Sequence, residues 1–142
     1  MWLRASIAAF LMAVVSVPAD AAVRITGDKG GQIGPYLYSF VALRSTGQRV
    51  IIDGPCLSAC TLVTAVMPRS HICVTPRATL GFHAAWAPDQ TGRKTVHRAG
   101  TKLVYKIYPK QIRSWIARNG GLGDRMIFLS GRTLATMYPR CE

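Results

Sequence analysis

Acidic residues are scarce in this chain, which holds 6 Asp and Glu against 18 Lys and Arg and carries a formal net charge of +12. An excess of this size makes anionic partners the most plausible ones, among them cell-envelope polymers, lipid headgroups and acidic peptides. The alternative is that the positive charge is spread over the surface and serves solubility only.

The chain also lacks an apolar run of about 20 residues, the length that a membrane-spanning helix needs. Its N-terminal apolar run, Ile7–Val17, is shorter, and Arg4 precedes it. The sequence A-D-A at 19–21 then matches the cleavage pattern of a secretory signal peptide. We therefore predict a signal peptide over 1–21 and a mature domain over 22–142, periplasmic or secreted, for which nucleic acid is not an expected partner. An uncleaved anchor is the alternative.

Internal repeats and low-complexity tracts are absent from the sequence, and its length is that of one domain. Strand-like and helix-like segments alternate, which predicts an α/β fold with a small, mostly parallel sheet, flanking helices and right-handed crossovers. Strands are predicted over 23–26, 49–53, 71–74 and 79–83, and helices over 33–45, 58–67, 99–119 (split or kinked at Pro109) and 124–129, ahead of a turn-rich tail.

The sequence has four cysteines: Cys56, Cys60, Cys73 and Cys141. An even number in an exported protein favours structural disulfides, and three pairings are open. A bridge to Cys141 would join the C-terminal tail to the body of the domain. A metal site is the alternative, but the Cys56-x3-Cys60 spacing supports it weakly because no second short-spaced ligand pair accompanies it. We predict no metal.

A serine and a histidine occupy positions at which α/β folds place catalytic groups. Ser58 stands at a sharp strand-to-helix turn beside the small Ala59, an arrangement with the logic of a nucleophile elbow. His83 ends an apolar strand, where a base can project over the sheet edge. Gly30-Gly31 leaves backbone N–H groups uncovered, and these can hold an oxyanion. The structural alternatives are a helix cap, a structural histidine and an ordinary glycine turn.

Taken in order, these features resemble the proteolytic subunit of Clp protease and its ClpP/crotonase-like relatives. The resemblance is carried by ITGDKGGQIGPYLYSF and VIIDGPCLSACTLVTAVMPRSHICVTPRATLGFH and extends from residue 25 to about residue 119. The words CLSAC and LGFH are also similar to a branch of small exported bacterial proteins of this superfamily. The resemblance implies a minimal ClpP/crotonase-like domain, with Ser58 as nucleophile, His83 as general base and the N–H groups of Gly31 and Ala59 as oxyanion hole.

The third member of a catalytic triad is less well matched. In the family an aspartate follows the long helix and orients the histidine, and here Asp124 is the candidate, although the family position falls nearer Leu129 or Ser130. Two hypotheses follow. The chain is an exported serine peptidase or acyl hydrolase acting on a peptide or acyl substrate, or a catalytically inactive module that binds anionic envelope partners. Neither hypothesis needs a cofactor.

Basic side chains recur every four residues within the long predicted helix, at Arg98, Lys102, Lys106 and Lys110. This spacing predicts one basic face that binds anions, with an ordinary solvated face as the alternative. On the other side Leu103, Val104, Ile107 and Trp115 are expected to face the core. A homo-oligomer is an open alternative to a monomer, but a Clp-type barrel is not implied, because the chain lacks the extra residues that build one.

Overall fold

The computed structural model describes residues 21–142, so the predicted signal peptide, apart from Ala21, lies outside the described residues and stays a prediction. In chain order the elements are β1 (Ala22–Ile25), α1 (Ile33–Ser45), β2 (Arg49–Ile52), β3 (Pro55–Leu57), a 3-10 helix (Ser58–Leu62), α2 (Val63–Val66), a second 3-10 helix (Arg69–His71), β4 (Ile72–Val74), β5 (Thr79–Phe82), β6 (Trp86–Pro88), β7 (Lys94–Val96), α3 (Arg98–Ile107), α4 (Lys110–Arg118), β8 (Ile127–Ser130) and α5 (Gly131–Met137).

Two three-stranded sheets form the centre of the domain. The first has the order β1-β2-β4 and is wholly parallel. The second has the order β3-β5-β8, in which β5 runs parallel to β3 and antiparallel to β8. Strands β6 and β7 form a separate antiparallel hairpin. The predicted α/β fold with a small, mostly parallel sheet and flanking helices is confirmed, although the strands divide between two sheets rather than one.

The chain passes from the first sheet to the second through tight bends, and the bend after β2 is built around Asp53 and Gly54. A Cβ atom at Gly54 would collide with the backbone of Thr26, so only glycine fits this approach. The buried Asp53 carboxylate accepts hydrogen bonds from Arg77 (2.6 Å), Thr75 (2.7 Å) and Arg24 (2.8 Å). Bonding to Arg77, Thr75 and Arg24 lowers the pKa of Asp53, so the carboxylate stays charged and joins the bend after β2 to β1 and to the segment that follows β4.

The core lies between the sheets and the helices that cover them. Two of the residues expected in it are instead on the surface, since Leu103 is 64% and Ile107 38% exposed. The side of α3 that faces the core carries Val104, and Tyr108, four residues later, continues it. Leu103 and Ile107 each precede one of these residues by one position, which places them about 100° around the helix and away from the core. The largest fully buried side chains are Val50, Ile52, Leu62, Val63, Ile72, Leu80, Phe82, Ile112, Ile116, Leu129, Leu134 and Tyr138.

Two predicted elements are wrong in detail. The helix over 124–129 is instead strand β8, because the short apolar run around the buried Leu129 pairs with β5, and periodicity cannot distinguish so short a run from a helix. The helix over 58–67 begins as a 3-10 helix and has one α-helical turn, α2. The long helix predicted over 99–119 is split at Pro109, as expected, into α3 and α4.

The four cysteines form two disulfides, Cys56–Cys60 and Cys73–Cys141. The second bridge joins the tail to β4, and the Val74 N–H bonds the Pro139 carbonyl at 2.9 Å beside it. The tail, predicted only as rich in turn residues, contains α5 and an extended segment that pairs with the first sheet. Within residues 21–142, none of the helices has the length and apolar character that crossing a membrane requires.

Candidate active site

Ser58 occupies a strained backbone position at the junction of β3 and the 3-10 helix. Its φ is +56°, and within residues 21–142 it is the one non-glycine residue with a positive φ. Gly30 packs directly against it, since a Cβ atom there would lie 2.5 Å from the Ser58 Cβ and 2.5 Å from the Leu57 carbonyl oxygen. The first of the two predicted glycines is therefore required for the elbow to form.

His83 reaches Ser58 because the strands that carry them are neighbours. Strands β3 and β5 run parallel with Leu57 opposite Gly81, so the residues that follow each strand meet at the same sheet edge. The Ser58 Oγ lies 2.8 Å from the His83 Nε2, and the His83 Nδ1 lies 2.6 Å from the Ala84 carbonyl oxygen. A carbonyl only accepts, so Nδ1 carries the proton and donates it. Nε2 is then free to accept the serine proton, as a general base must.

Asp124 is not brought to the histidine. Its side chain is exposed, and the hydrogen bonds of the His83 ring go to Ser58 and to the Ala84 carbonyl. The segment before Asp124 does pass beside the site, because the Gly123 carbonyl accepts the Ala84 N–H at 2.7 Å. The Ala84 backbone carbonyl therefore orients the His83 imidazole, the role for which the sequence offered the Asp124 carboxylate. Sequence reasoning did not foresee this role for a carbonyl.

Gly31 and Ala59, the residues of the two predicted oxyanion donors, line the same cavity as Ser58 and His83. Ala59 lies in the first turn of the 3-10 helix, where backbone N–H groups have no partner within the helix. Gly31 belongs to the glycine turn, whose shape is set by Asp28. One carboxylate oxygen of Asp28 accepts the Gly30 N–H at 2.7 Å and the Tyr36 hydroxyl at 2.6 Å. The Asp-x-Gly pattern of this turn was a readable signal for Asp28.

A cavity of about 520 Å³ opens beside Ser58 and His83. This volume is within the usual range for sites that hold a small molecule or one side chain of a larger substrate. Among its lining residues no Lys, Arg, Asp or Glu occurs, although the chain is strongly basic. The walls come from the start of α1, the 3-10 helix, the segment through β6, and α3: Gly31, Gln32, Ile33, Ser58, Ala59, Leu62, His83, Ala84, Ala85, Trp86, Ala87, Pro88, Val104 and Tyr108.

Tyr108 and Thr61 support the elbow from the core side, and sequence reasoning missed both. The Thr61 hydroxyl donates to the Ser58 carbonyl at 2.6 Å, so the Tyr108 hydroxyl, also 2.6 Å away, donates to Thr61. Burial raises the pKa of Tyr108 to about 12, which keeps this donor protonated. Tyr108 also packs edge-on against Phe82, the residue before His83, with ring centroids 5.3 Å apart. One side chain thus contacts both halves of the site.

The predicted basic face is divided between two helices. Arg98, Lys102 and Lys106 are exposed along α3, whereas Lys110 begins α4 beyond the break at Pro109. Within residues 21–142 none of the four forms an ion pair, because the ion pairs there belong to Asp53 and Asp89. These cations line no part of the cavity at Ser58.

The chain matches no family model and no curated protein. Among solved structures it is similar to a ClpP1 mutant from Listeria monocytogenes, with a TM-score of 0.47 and 12% sequence identity, over 84% of this chain and 71% of that chain. In the part of the chain that the structure describes, no group of three or more His, Cys, Asp and Glu side chains is arranged to hold a metal ion. The roles of Ser58 and His83 therefore rest on the geometry of this chain.

Proposed function

We propose that this protein is an exported serine hydrolase, a peptidase or acyl hydrolase, in which Ser58 is the nucleophile and His83 the general base. The observation that carries the proposal is the 2.8 Å contact from Ser58 Oγ to His83 Nε2, made at a positive-φ elbow that opens on an uncharged cavity. A serine that only capped a helix would need neither the strained backbone nor the histidine.

The reaction follows from the protonation state of His83. As the Ser58 oxygen attacks the substrate carbonyl carbon, its proton passes to Nε2, and the Gly31 and Ala59 N–H groups hold the carbonyl oxygen as its charge develops. The tetrahedral intermediate collapses, and the leaving amine or alcohol takes the proton from Nε2. Water, deprotonated by His83, then attacks the acyl ester on Ser58. The serine oxygen leaves and takes that proton back from Nε2, which releases the acid and restores the serine hydroxyl.

The Ala84 carbonyl fixes the tautomer of His83 but brings no negative charge to the imidazolium that forms during the reaction. A buried carboxylate at this position stabilises that cation as well as orienting the ring. We therefore expect a slower hydrolase than a full triad would give. An oxidising location agrees with the two disulfides, which are typical of exported proteins.

The proposal is tested with a fluorophosphonate probe on the purified, oxidised protein. The Ser58 oxygen forms a bond to phosphorus, fluoride leaves, and His83 takes the serine proton, so labelling reports an activated serine. We expect the wild type to be labelled and Ser58→Ala and His83→Ala not to be. Ser39→Ala, an exposed serine on α1, and His71→Ala are matched controls that should label normally. Absence of labelling in a folded wild type would contradict the proposal.

Anion binding through α3 is a second candidate, favoured by the three exposed cations without an ion-pair partner in residues 21–142, Arg98, Lys102 and Lys106. Co-sedimentation with phosphatidylglycerol vesicles at increasing salt tests it, since such binding weakens as salt screens the charges. The double change Lys102→Glu with Lys106→Glu should abolish binding, and Ser58→Ala should not. Binding that is indifferent to salt would count against this function.

A further inference from the structure

The Cys56–Cys60 disulfide closes a short loop of the chain that contains the proposed nucleophile, Ser58. Cys56 lies in β3, Cys60 lies in the 3-10 helix, and Ser58 is midway between them. Both cysteines are 0% exposed, and their Cα atoms are 5.3 Å apart. The bond therefore joins the strand before the elbow to the helix after it, and the packed core around it leaves neither end free to move.

This part of the backbone needs a restraint if Ser58 is to remain in place. A positive φ is unfavourable for any residue with a Cβ atom and persists only where the surroundings hold it. A relaxation of Ser58 to negative φ would swing its Oγ away from the His83 Nε2. The disulfide opposes this change because it fixes the distance between the flanking residues. Gly30 on one side and Thr61 on the other add contacts that favour the same conformation.

Global stability does not account for the position of this bond. A cross-link stabilises a fold mainly by restricting the unfolded chain, and the effect grows with the length of the loop it closes. The Cys56–Cys60 separation is 4 residues, against 68 for Cys73–Cys141. The short bridge closes a minimal loop yet stands directly at the serine, so its effect is expected on the geometry there.

We infer that the Cys56–Cys60 disulfide is a positioning element of the active site, which holds the Ser58 hydroxyl in line with His83. The inference rests on the proposed function. Loss of alignment by about 1 Å can cost on the order of 100-fold in rate. Opening this disulfide should therefore lower the maximal labelling rate by fluorophosphonate about 10- to 100-fold. The half-saturating probe concentration should change less than about 2-fold, because the cavity walls stay in place.

The first experiment compares two double variants of the full chain. The elbow variant, Cys56→Ala combined with Cys60→Ala, removes the elbow disulfide. The tail variant, Cys73→Ala combined with Cys141→Ala, removes the tail disulfide. Labelling rates are measured across probe concentrations at a temperature where circular dichroism shows both variants folded. The elbow variant should lose maximal rate, whereas the tail variant should lose stability and keep its rate. Equal rates in the two folded variants would overturn the inference.

A second experiment opens the same bond without deleting atoms. In the Cys73→Ala, Cys141→Ala protein the elbow disulfide is the remaining one, and excess dithiothreitol reduces it to two thiols while the reagent closes to its cyclic disulfide. Labelling should fall on reduction and return when oxidised glutathione restores the bond, with the circular dichroism spectrum unchanged. Undiminished labelling of the reduced protein would overturn the inference, as would unfolding on reduction, because the bond would then hold the fold rather than the serine.

The two proposals fail in different ways. A folded, oxidised wild type that does not label contradicts the proposed function and with it this inference. A wild type that labels at Ser58, together with an elbow variant that labels equally fast, leaves the hydrolase intact and contradicts the positioning role alone.

Discussion

The elbow at Ser58 and the C-terminal tail are each closed by a disulfide, but the two bonds are set in different surroundings. At the elbow, Cys56–Cys60 spans 4 residues around a strained backbone position beside the cavity. In the tail, Cys73–Cys141 spans 68 residues and attaches an extended segment to the edge of the first sheet. The first bond restrains the geometry of a few atoms, and the second restrains the path of half the chain.

The difference indicates that the stability of the fold and the geometry at Ser58 depend on different parts of the domain. The second bond keeps α5, whose Leu134 is buried, against the sheet without contacting the site. Around the elbow, by contrast, the restraints converge on one residue: Gly30, Thr61 and the first disulfide all contact or bracket Ser58. Changes at the two regions should therefore separate activity from stability.

The largest effect is expected at the elbow from Gly30→Ala. The added methyl group would lie 2.5 Å from the Ser58 Cβ, and the backbone φ of +81° is itself unfavourable for alanine. Ser58 must shift to relieve this contact, so we expect the fluorophosphonate labelling rate to fall by about 100-fold or more. The change breaks the elbow while leaving both disulfides intact.

Gly47→Ala is the matched control for that change. Gly47 has a similar φ of +70°, but nothing lies within 4 Å of an added Cβ atom. It should cost about 1 kcal/mol of stability through backbone strain and leave labelling unchanged. A similar loss of labelling in both variants would mean that strain anywhere lowers activity, and the contrast between the elbow and the rest of the fold would disappear.

The next effect is on stability and distinguishes the two disulfides. In the chain-entropy account a 68-residue loop is worth about 4 kcal/mol and a 4-residue loop about 2 kcal/mol. Cys73→Ala with Cys141→Ala should therefore lower the free energy of unfolding more than Cys56→Ala with Cys60→Ala. Urea unfolding of both double variants measures this, and a greater loss from the elbow pair would contradict the separation of roles.

Asp53 lies between the two regions. It precedes β3, the strand that leads to the elbow, and it binds Thr75 and Arg77 just after β4, the strand to which the tail is attached. Its pKa is lowered below the ordinary 3.8, first by the Arg77 hydrogen bond and then by Thr75 and Arg24. A lowered folded-state pKa means that its stabilisation is complete above about pH 4 and is lost as the pH falls through the folded value.

Asp53→Asn should therefore lower stability at pH 7 and flatten the acid side of a plot of unfolding free energy against pH. Asp89→Asn is the control. The pKa of Asp89 is also lowered, chiefly by the Thr91 hydroxyl, but its partners lie within one exposed hairpin loop, so the expected effect is small. Curves for wild type and Asp53→Asn that run parallel down to pH 3 would contradict the assignment.

Much of the fold could be predicted because its signals are local. Strands β1, β2, β4 and β5 contain short apolar runs between turn residues, and helix α1 ends just before Gly47. Ser58 was predicted at a strand-to-helix turn and His83 at the end of a strand, but strand β3, which ends just before Ser58 and pairs with β5, was not among the predicted strands. Local sequence sets where a strand ends, and parallel pairing brings those ends together.

The remainder depended on contacts between distant residues or on the exact course of the backbone. Strand β8 forms because β5 offers it an open edge, which no local pattern at 124–129 reveals. The contact of Tyr108 with Thr61 spans 47 residues, and the bond from His83 to the Ala84 carbonyl depends on a turn geometry rather than on a side chain. A carbonyl that replaces a carboxylate leaves no mark in the sequence.

The smallest effect is expected from Asp124→Asn, and it tests that replacement directly. Asp124 is exposed, and the His83 Nδ1 proton goes to the Ala84 carbonyl, so removing the Asp124 charge should change the labelling rate less than about 2-fold. In a protein whose histidine depends on an aspartate, the same change costs about 10,000-fold. A loss of that order, with stability unchanged, would show that Asp124 reaches His83 during the reaction and that the site works as a triad after all. An unchanged rate would leave the elbow, its disulfide and the Ala84 carbonyl as the groups that align the serine with its base.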